Sequence, residues 1–262
     1  VYLREAYGER TAFVSGFSSF VLSASASIAA LAVAFASALS TVFPMGPLAQ
    51  KFIAAGTILL LTLVNIRGVR AGAAVQNVFM VLKLLPIAVI LGAGLILGDV
   101  ETPVITLPDE LPSAGTLLST VAFAVVATLW AYEGWTNLNT IAEEIKNPKR
   151  NIPLALILSI TGVAILYVLF NYAVYRVLPF ETIQQLVGSG DYYLGTAAAK
   201  ELFGPAGMIV VGAAMILAIF NSLNGCIMVF PRMYFAMARD GALFPSLAKL
   251  HPTYRTPMNA QI

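Results

Sequence analysis

Long apolar runs recur along the chain, separated by short charged segments. Six are long enough to consider as membrane spans: about 11–43, 52–66, 74–98, 116–141, 153–178 and 205–235. In lipid every backbone polar group must find its partner inside the protein, so runs of this kind predict helices. The run 52–66 is short for a hydrocarbon core of roughly 30 Å, and its helix is expected to extend past the apolar residues. Runs 11–43 and 205–235 are long, which predicts tilt or a bend. Within the first, the Ser- and Ala-rich stretch SSFVLSASASIAALAVAFASALS favours close helix packing. A further short helix is one reading of 194–203 (LGTAAAKELF), lying over the mouth of the protein; a plain connector is the other.

Two of the runs carry polar, glycine-bearing interruptions near their middles. One is Tyr132-Glu133-Gly134, inside the stretch TLWAYEGWTNLN at 128–139; the other is Asn221-Ser222-Leu223-Asn224-Gly225. Backbone leaves the helix at membrane depth only where it lines a cavity or is buried in protein. Paired broken helices point to a substrate site near the midplane of a secondary transporter. Freed N–H groups at a break suit a carboxylate and freed C=O groups suit an ammonium, so the chemistry fits a zwitterion. The second interruption is the weaker one, because Asn, Ser and Gly also serve helix packing.

Ionisable residues inside spans are expensive and mark functional positions by default. Lys83, in VFMVLKLLPIAV, lies about nine residues into its span, on the order of 13 Å from the inner end. Two readings stand: a lysine snorkelling to the interface, or a fixed cation holding a cluster of helix-break carbonyls where other transporters place an ion. Glu133 also has two: a carboxylate in a structural pair or a wet vestibule, or a group taking part in transport and proton exchange.

Composition agrees with the pattern. The 262 residues are 59% hydrophobic and 11% charged, against about a quarter charged in soluble domains, so the chain reads as a multi-pass protein of the cell membrane. Charge sorts by side. Arg4, Arg10, Arg67, Arg70, Lys146, Lys149, Arg150, Arg232, Arg239, Lys249 and Arg255 fall on one side, and Lys51, Arg176 and Lys200 on the other. The second side also carries Asp99, Glu101, Asp109, Glu110, Glu181, Asp191 and Glu201. The positive-inside rule then places both ends of the segment in the cytoplasm. No basic patch suggests nucleic acid. The start VYLREAYGER lacks a signal-peptide core and an initiator Met, and the chain reads as an excerpt of a longer one.

Other chemistry is sparse. The single cysteine, Cys226, permits no internal disulfide. His251 has no Cys or His neighbours to make a metal site. There is no P-loop, nucleophile elbow or dinucleotide fingerprint, so neither an enzyme nor a cofactor is expected. In AEEIKNPKRNIP (142–153), Asn147-Pro148 is expected to stop a helix, and Asn151 to cap the next with Pro153 in its first turn. Glu143 and Glu144 read as a solvated ion network with nearby basic residues.

The run LWAYEGWTNLNTIAEEIKNPKRNIPLAL resembles the sixth transmembrane helix and following loop of amino-acid permeases in the amino acid–polyamine–organocation superfamily. The L-type branch, with its bacterial serine/threonine exchangers, is the most similar. FPMGPLAQKFIAAG, VNIRGVRAGAAVQNVFMVLKLLPI and NSLNGCIMVFPRMYFAMARDGALFPSLAKLHPTYRTP agree in the same order, so the resemblance covers essentially the whole chain. It implies an all-α membrane protein with the LeuT-like inverted-repeat fold. The six spans would be helices three to eight of twelve. By position, Trp130 falls where the family has an aromatic gate, and Ala131, Tyr132 and Gly134 in the unwound segment whose carbonyls take the substrate ammonium. Ser222 and Cys226 match small positions of the eighth helix. Lys83 matches a lysine thought to replace sodium, and Ser23, Ser25 and Ser27 lie loosely where the third helix lines the pocket.

Two positions depart from the L-type pattern. Glu133 stands where those relatives have glycine, although bacterial relatives can be acidic, which leaves specificity and proton coupling open. Gly46, in FPMGP, stands where animal members carry the cysteine that joins a glycoprotein heavy chain, so no disulfide-linked heavy chain is expected. The expected activity is sodium-independent exchange or proton symport of amino acids by alternating access, neutral or small substrates first. The alternatives are a cationic amino acid or polyamine transporter and an amino-acid-binding membrane sensor. The expected partners are the amino-acid substrate and the lipid bilayer.

Overall fold

The computed structural model describes residues 2–100, 112–189 and 194–262. Glu101, Asp109, Glu110 and Asp191, four of the acidic residues assigned to the outer side, lie outside the described residues. Among the described residues the chain is helical with no strand. Five helical stretches are long and apolar enough to cross a membrane: Glu9–Ser40, Pro47–Ile66, Ala71–Leu97, Pro148–Val177 and Pro205–Arg239. The chain divides into two compact units, Val1–Ile87 with Ile209–Ile262, and Ala88–Met208.

The first unit begins with α1 (Tyr2–Tyr7) and α2 (Glu9–Ser18), which runs through a π turn at Ser19–Ser23 into α3 (Ala24–Val42). A π turn widens the helix and frees carbonyls from their usual donors. Side chains add donors here: Ser25 Oγ donates to Phe20 O at 2.8 Å, and Tyr234 Oη at 3.4 Å joins the Ala24 N–H on Ser19 O. The first long run is therefore one continuous helical path with a local defect.

Helix α4 (Pro47–Ile66) starts with proline in its first turn after Gly46, where a missing N–H costs nothing. It gains its length from residues before the apolar run. Small residues set the packing of this unit: Ala32 and Ala36 of α3, Ala54 and Leu61 of α4, and Leu223 and Ile227 of α10 (Pro205–Arg239) form one buried cluster. Alanines at these positions let backbones approach closely, which is how helices associate where lipid is as apolar as leucine. A second cluster joins Ala24 to Tyr234, Ala238 and Leu243, with the Phe20 ring edge-on to Tyr234 at 4.8 Å. The C-terminal segment is tied to α4 by Thr256 Oγ1 donating to Ile66 O at 2.7 Å.

The second unit holds the C-terminal part of α5 (Val69–Leu97), then α6 (Ala114–Leu129), α7 (Pro148–Val177), α8 (Phe180–Gly188) and α9 (Leu194–Phe203). Segment 194–203 is thus a helix. Its Ala198 is buried with Val174, Val177, Leu178 and Ile183. Glycine lets α5 approach α7: a Cβ on Gly94 would stand 3.0 Å from that of Ala173. Beyond it, Arg176 donates to the carbonyl of Gly98, and Val100 N donates to Arg176 O at 3.0 Å.

Two expectations about helix limits are corrected. The run 205–235 is not interrupted at 221–225, because α10 is α-helical from Pro205 to Arg239. Helix α7 starts at Pro148, five residues before Pro153, with Asn147 as its cap at φ 51°. Pro148 suits a first helical position, where its fixed φ is already helical and no N–H is needed, and asparagine tolerates the left-handed region better than most residues. Asn151 lies inside the helix and donates back to Lys146 O at 2.5 Å.

Candidate functional site

The run 116–141 is not one helix. α6 ends at Leu129, after 16 residues. Trp130–Tyr132 then forms a short 3-10 turn, and Trp135–Glu144 a second 3-10 segment. Between them Gly134 sits at φ 108°, ψ −14°, a backbone conformation that side-chain-bearing residues rarely adopt. The sequence gathers weak helix formers here, and the chain turns at the one residue without a Cβ. The turn is closed by Asn137 N donating to Gly134 O at 3.1 Å.

An α-helical continuation would have given the Ala131 carbonyl the N–H of Trp135. The backbone takes another path, and a side chain from a neighbouring helix supplies a donor: Tyr167 Oη of α7 reaches Ala131 O at 2.8 Å. The Tyr132 and Tyr167 rings meet edge to face at 5.2 Å and 74°. Ala131 and Glu133 are exposed, while Tyr132 and Gly134 are half-buried. The placement of the Trp130 side chain lies outside the described residues, as do those of Glu143 and Glu144.

Tyr167 escaped the sequence reading. Its signal was a phenol in the otherwise apolar stretch ILYVLF, where a hydroxyl needs a partner.

The other predicted site residues belong to the first unit. Lys83 is half-buried on α5 and forms no hydrogen bond or ion pair among the described residues. Pro86, three residues on, cannot donate to the carbonyl of Leu82, so that carbonyl lacks its usual helical partner beside Lys83. Ser222 is exposed and Cys226 half-buried, one turn apart on a single face of α10. Ser25 and Ser27 spend their hydroxyls on their own helix, at Phe20 O and Ser23 O. Ser23 is exposed.

The amides of the second interruption have a different use from the one expected. Asn224 is fully buried, and its Oδ1 accepts from Asn65 Nδ2 at 3.0 Å. Its Nδ2 donates to Gly72 O at 3.2 Å and Gln76 Oε1 at 3.0 Å. Asn65 Nδ2 also donates to Leu61 O at 2.8 Å. One residue of α10 thus bonds to both α4 and α5. The Asn65 Oδ1 lies against Gly72, in space that a Cβ there would occupy. Asn221, one turn earlier, is equally buried, and its amide has no hydrogen-bond partner among the described residues. Asn65 and Gln76 were not singled out from sequence, because nothing local announces a bond to a residue 159 or 148 positions away.

Among the described residues no group of three or more His, Cys, Asp or Glu side chains is placed to hold a metal ion. What the interruption offers instead is a main-chain carbonyl outside regular α-helix, beside two aromatic rings and an exposed carboxylate.

The family described as amino acid permease matches residues 1–262. The serine/threonine exchanger SteT of Bacillus subtilis (strain 168) is 34% identical over 260 residues, covering 98% of this chain and 57% of the relative. The b(0,+)-type amino acid transporter 1 of Mus musculus is 31% identical, over 100% of this chain and 53% of the relative. The human Asc-type amino acid transporter 1 is 29% identical, over 99% and 50%. The chain spans about half the length of the curated relatives it matches.

Proposed function

The chain belongs to the amino acid permease family, and on that premise we propose that the whole protein carries amino acids across the cell membrane by alternating access. The family's fold is that of LeuT-like transporters, and this chain supplies about half of it. The observation that carries the reading is the opening at Gly134, which puts the Ala131 carbonyl outside regular α-helix. Carbonyls freed in this way accept from an ammonium. Neutral or small amino acids are the favoured substrates, because Ser222 and Cys226 are small and uncharged. The name of the bacillar relative, a serine/threonine exchanger, supports the same class.

Lys83 supports sodium independence: a fixed cation beside the carbonyl left open by Pro86 takes the place of an ion. Glu133 is the group proposed to exchange protons if transport is proton-coupled. Trp130 is the proposed gate. The charge asymmetry supports a topology with both ends of the segment in the cytoplasm. Gly46 at the family's linking position favours a permease working without a disulfide-linked heavy chain. The relatives' names describe transporters rather than enzymes.

The test is reconstitution of the full-length parent in vesicles, with labelled amino acids offered with and without sodium and with and without internal amino acid. Uptake or exchange that persists when sodium is replaced is the expected result. No movement of any proteinogenic amino acid or polyamine would sink the proposal. Preferred uptake of lysine, arginine or a polyamine would instead favour the second reading, which the exposed carboxylate of Glu133 supports. Saturable binding without movement would favour a sensor.

A further inference from the structure

The Ala131 carbonyl is already in use. Tyr167 Oη, from a residue 36 positions further along, donates to it at 2.8 Å, and its ring is steadied edge-on by Tyr132 at 5.2 Å. A phenol and a primary ammonium are both hydrogen-bond donors, and they compete for the same oxygen. The two bonds differ in strength. The phenol makes a neutral O–H···O bond, whereas an ammonium makes a charge-assisted bond roughly twice as strong. Tyr167 is half-buried at a helix surface rather than sealed in the core, so its hydroxyl has room to leave.

We propose that Tyr167 is a displaceable placeholder: its hydroxyl satisfies the Ala131 carbonyl in the unloaded protein, and the substrate's ammonium takes its place. This rests on the reading that the protein binds amino acids at the interruption. The device favours protonated amines, because a group without a charged donor gains nothing by expelling the phenol. It also spares the empty protein an unpaired carbonyl at the break, which would otherwise draw a nearby N–H and close the turn.

The experiment uses the full-length parent. Tyr167→Phe keeps the ring that packs on Tyr132 and removes only the competing hydroxyl. Inhibition of labelled uptake is measured with L-serine and with 3-hydroxypropionate, which is serine without its amine. If serine is not carried, the fastest-carried amino acid and its amine-free acid replace the pair. The expected result is a half-inhibitory concentration for the amino acid lowered about three- to tenfold, the worth of one neutral hydrogen bond, with no change for the amine-free acid. An unchanged or raised value for the amino acid, or equal shifts for both, overturns the placeholder and leaves Tyr167 a structural pin.

Should the variant fail to accumulate, 3-fluorotyrosine at position 167 keeps the hydroxyl and reports on it by fluorine NMR. Its signal is expected to move on adding the amino acid and to stay still with the amine-free acid; no movement with the amino acid overturns the proposal. This readout needs binding only. A parent in which the fluorine signal moves but no amino acid is transported would fault the transport reading and leave the placeholder standing.

Discussion

The stretch 128–139 and the stretch 221–225 have nearly the same vocabulary, amides, a hydroxyl and glycine in an apolar run, yet only the first opens. The difference lies in what each polar group finds. In α10 the Asn224 amide is taken by Asn65, Gly72 and Gln76, so leaving the helix would forfeit three bonds. At the other stretch, Gly134 adopts a positive φ and the Ala131 carbonyl turns to a side chain on another helix. Polar residues at membrane depth thus have two uses: joining neighbouring helices while their own stays intact, or accompanying a backbone that leaves the helix. Glycine alone does not decide between them, since Gly225 stays helical.

The largest expected effect comes from Gly134→Val. A β-branched residue at φ 108° is strained by about 1–3 kcal/mol wherever the surroundings hold it there. Uptake by the parent in vesicles should fall by more than about tenfold, with the protein still present in the membrane. Near-normal uptake would mean the opening is incidental. Next is Asn224→Ala, which removes the amide that bonds to two helices. A loss of about 1–2 kcal/mol is expected, read as a lower unfolding temperature in detergent. An unchanged temperature would break the comparison from the other side, by showing that the buried amides hold nothing.

A smaller and more selective effect is expected of Glu133→Gln. It removes the charge of the interruption and leaves its shape, so uptake should lose much of its dependence on pH while the rate at the best pH is largely kept. An unchanged pH profile would mean that Glu133 is not the coupling group. The smallest effect is that of Gly225→Ala. Its added methyl meets Gln76 Nε2 at 3.5 Å, an ordinary contact. Exchanging glycine for alanine inside a helix stabilises it by up to about 1 kcal/mol. Uptake should hardly change, and a loss comparable to that of Gly134→Val would show that α10 also has to open.

The opening at Gly134 was legible in sequence because its causes are local: weak helix formers and a glycine in an apolar run. The helical class was legible for a similar reason, since lipid allows so few backbone solutions. The intact helix at 221–225 was not, because the partners that hold Asn224 come from elsewhere in the chain. Tyr167 was missed for the same reason, its partner being defined only after the backbone turns at Gly134. The start of α7 was misplaced by assigning the cap to Asn151, when the earlier proline already met the needs of a first turn.

The π turn at Ser19–Ser23 has a geometric consequence for the helix that contains it. Eight residues of regular α-helix advance about 800°, leaving the eighth some 80° off the line of the first. One residue absorbed in a wider turn brings that offset back to about 20°. Gly16, which lies close against Met237, and Ala24, buried beside Tyr234 and Ala238, are separated by this interval. The turn therefore works as a phase shifter: it absorbs one extra residue, so deleting a single residue from it would leave α2 in step with α3 along a regular helix, whereas rewinding all its residues as α-helix would swing the two out of step.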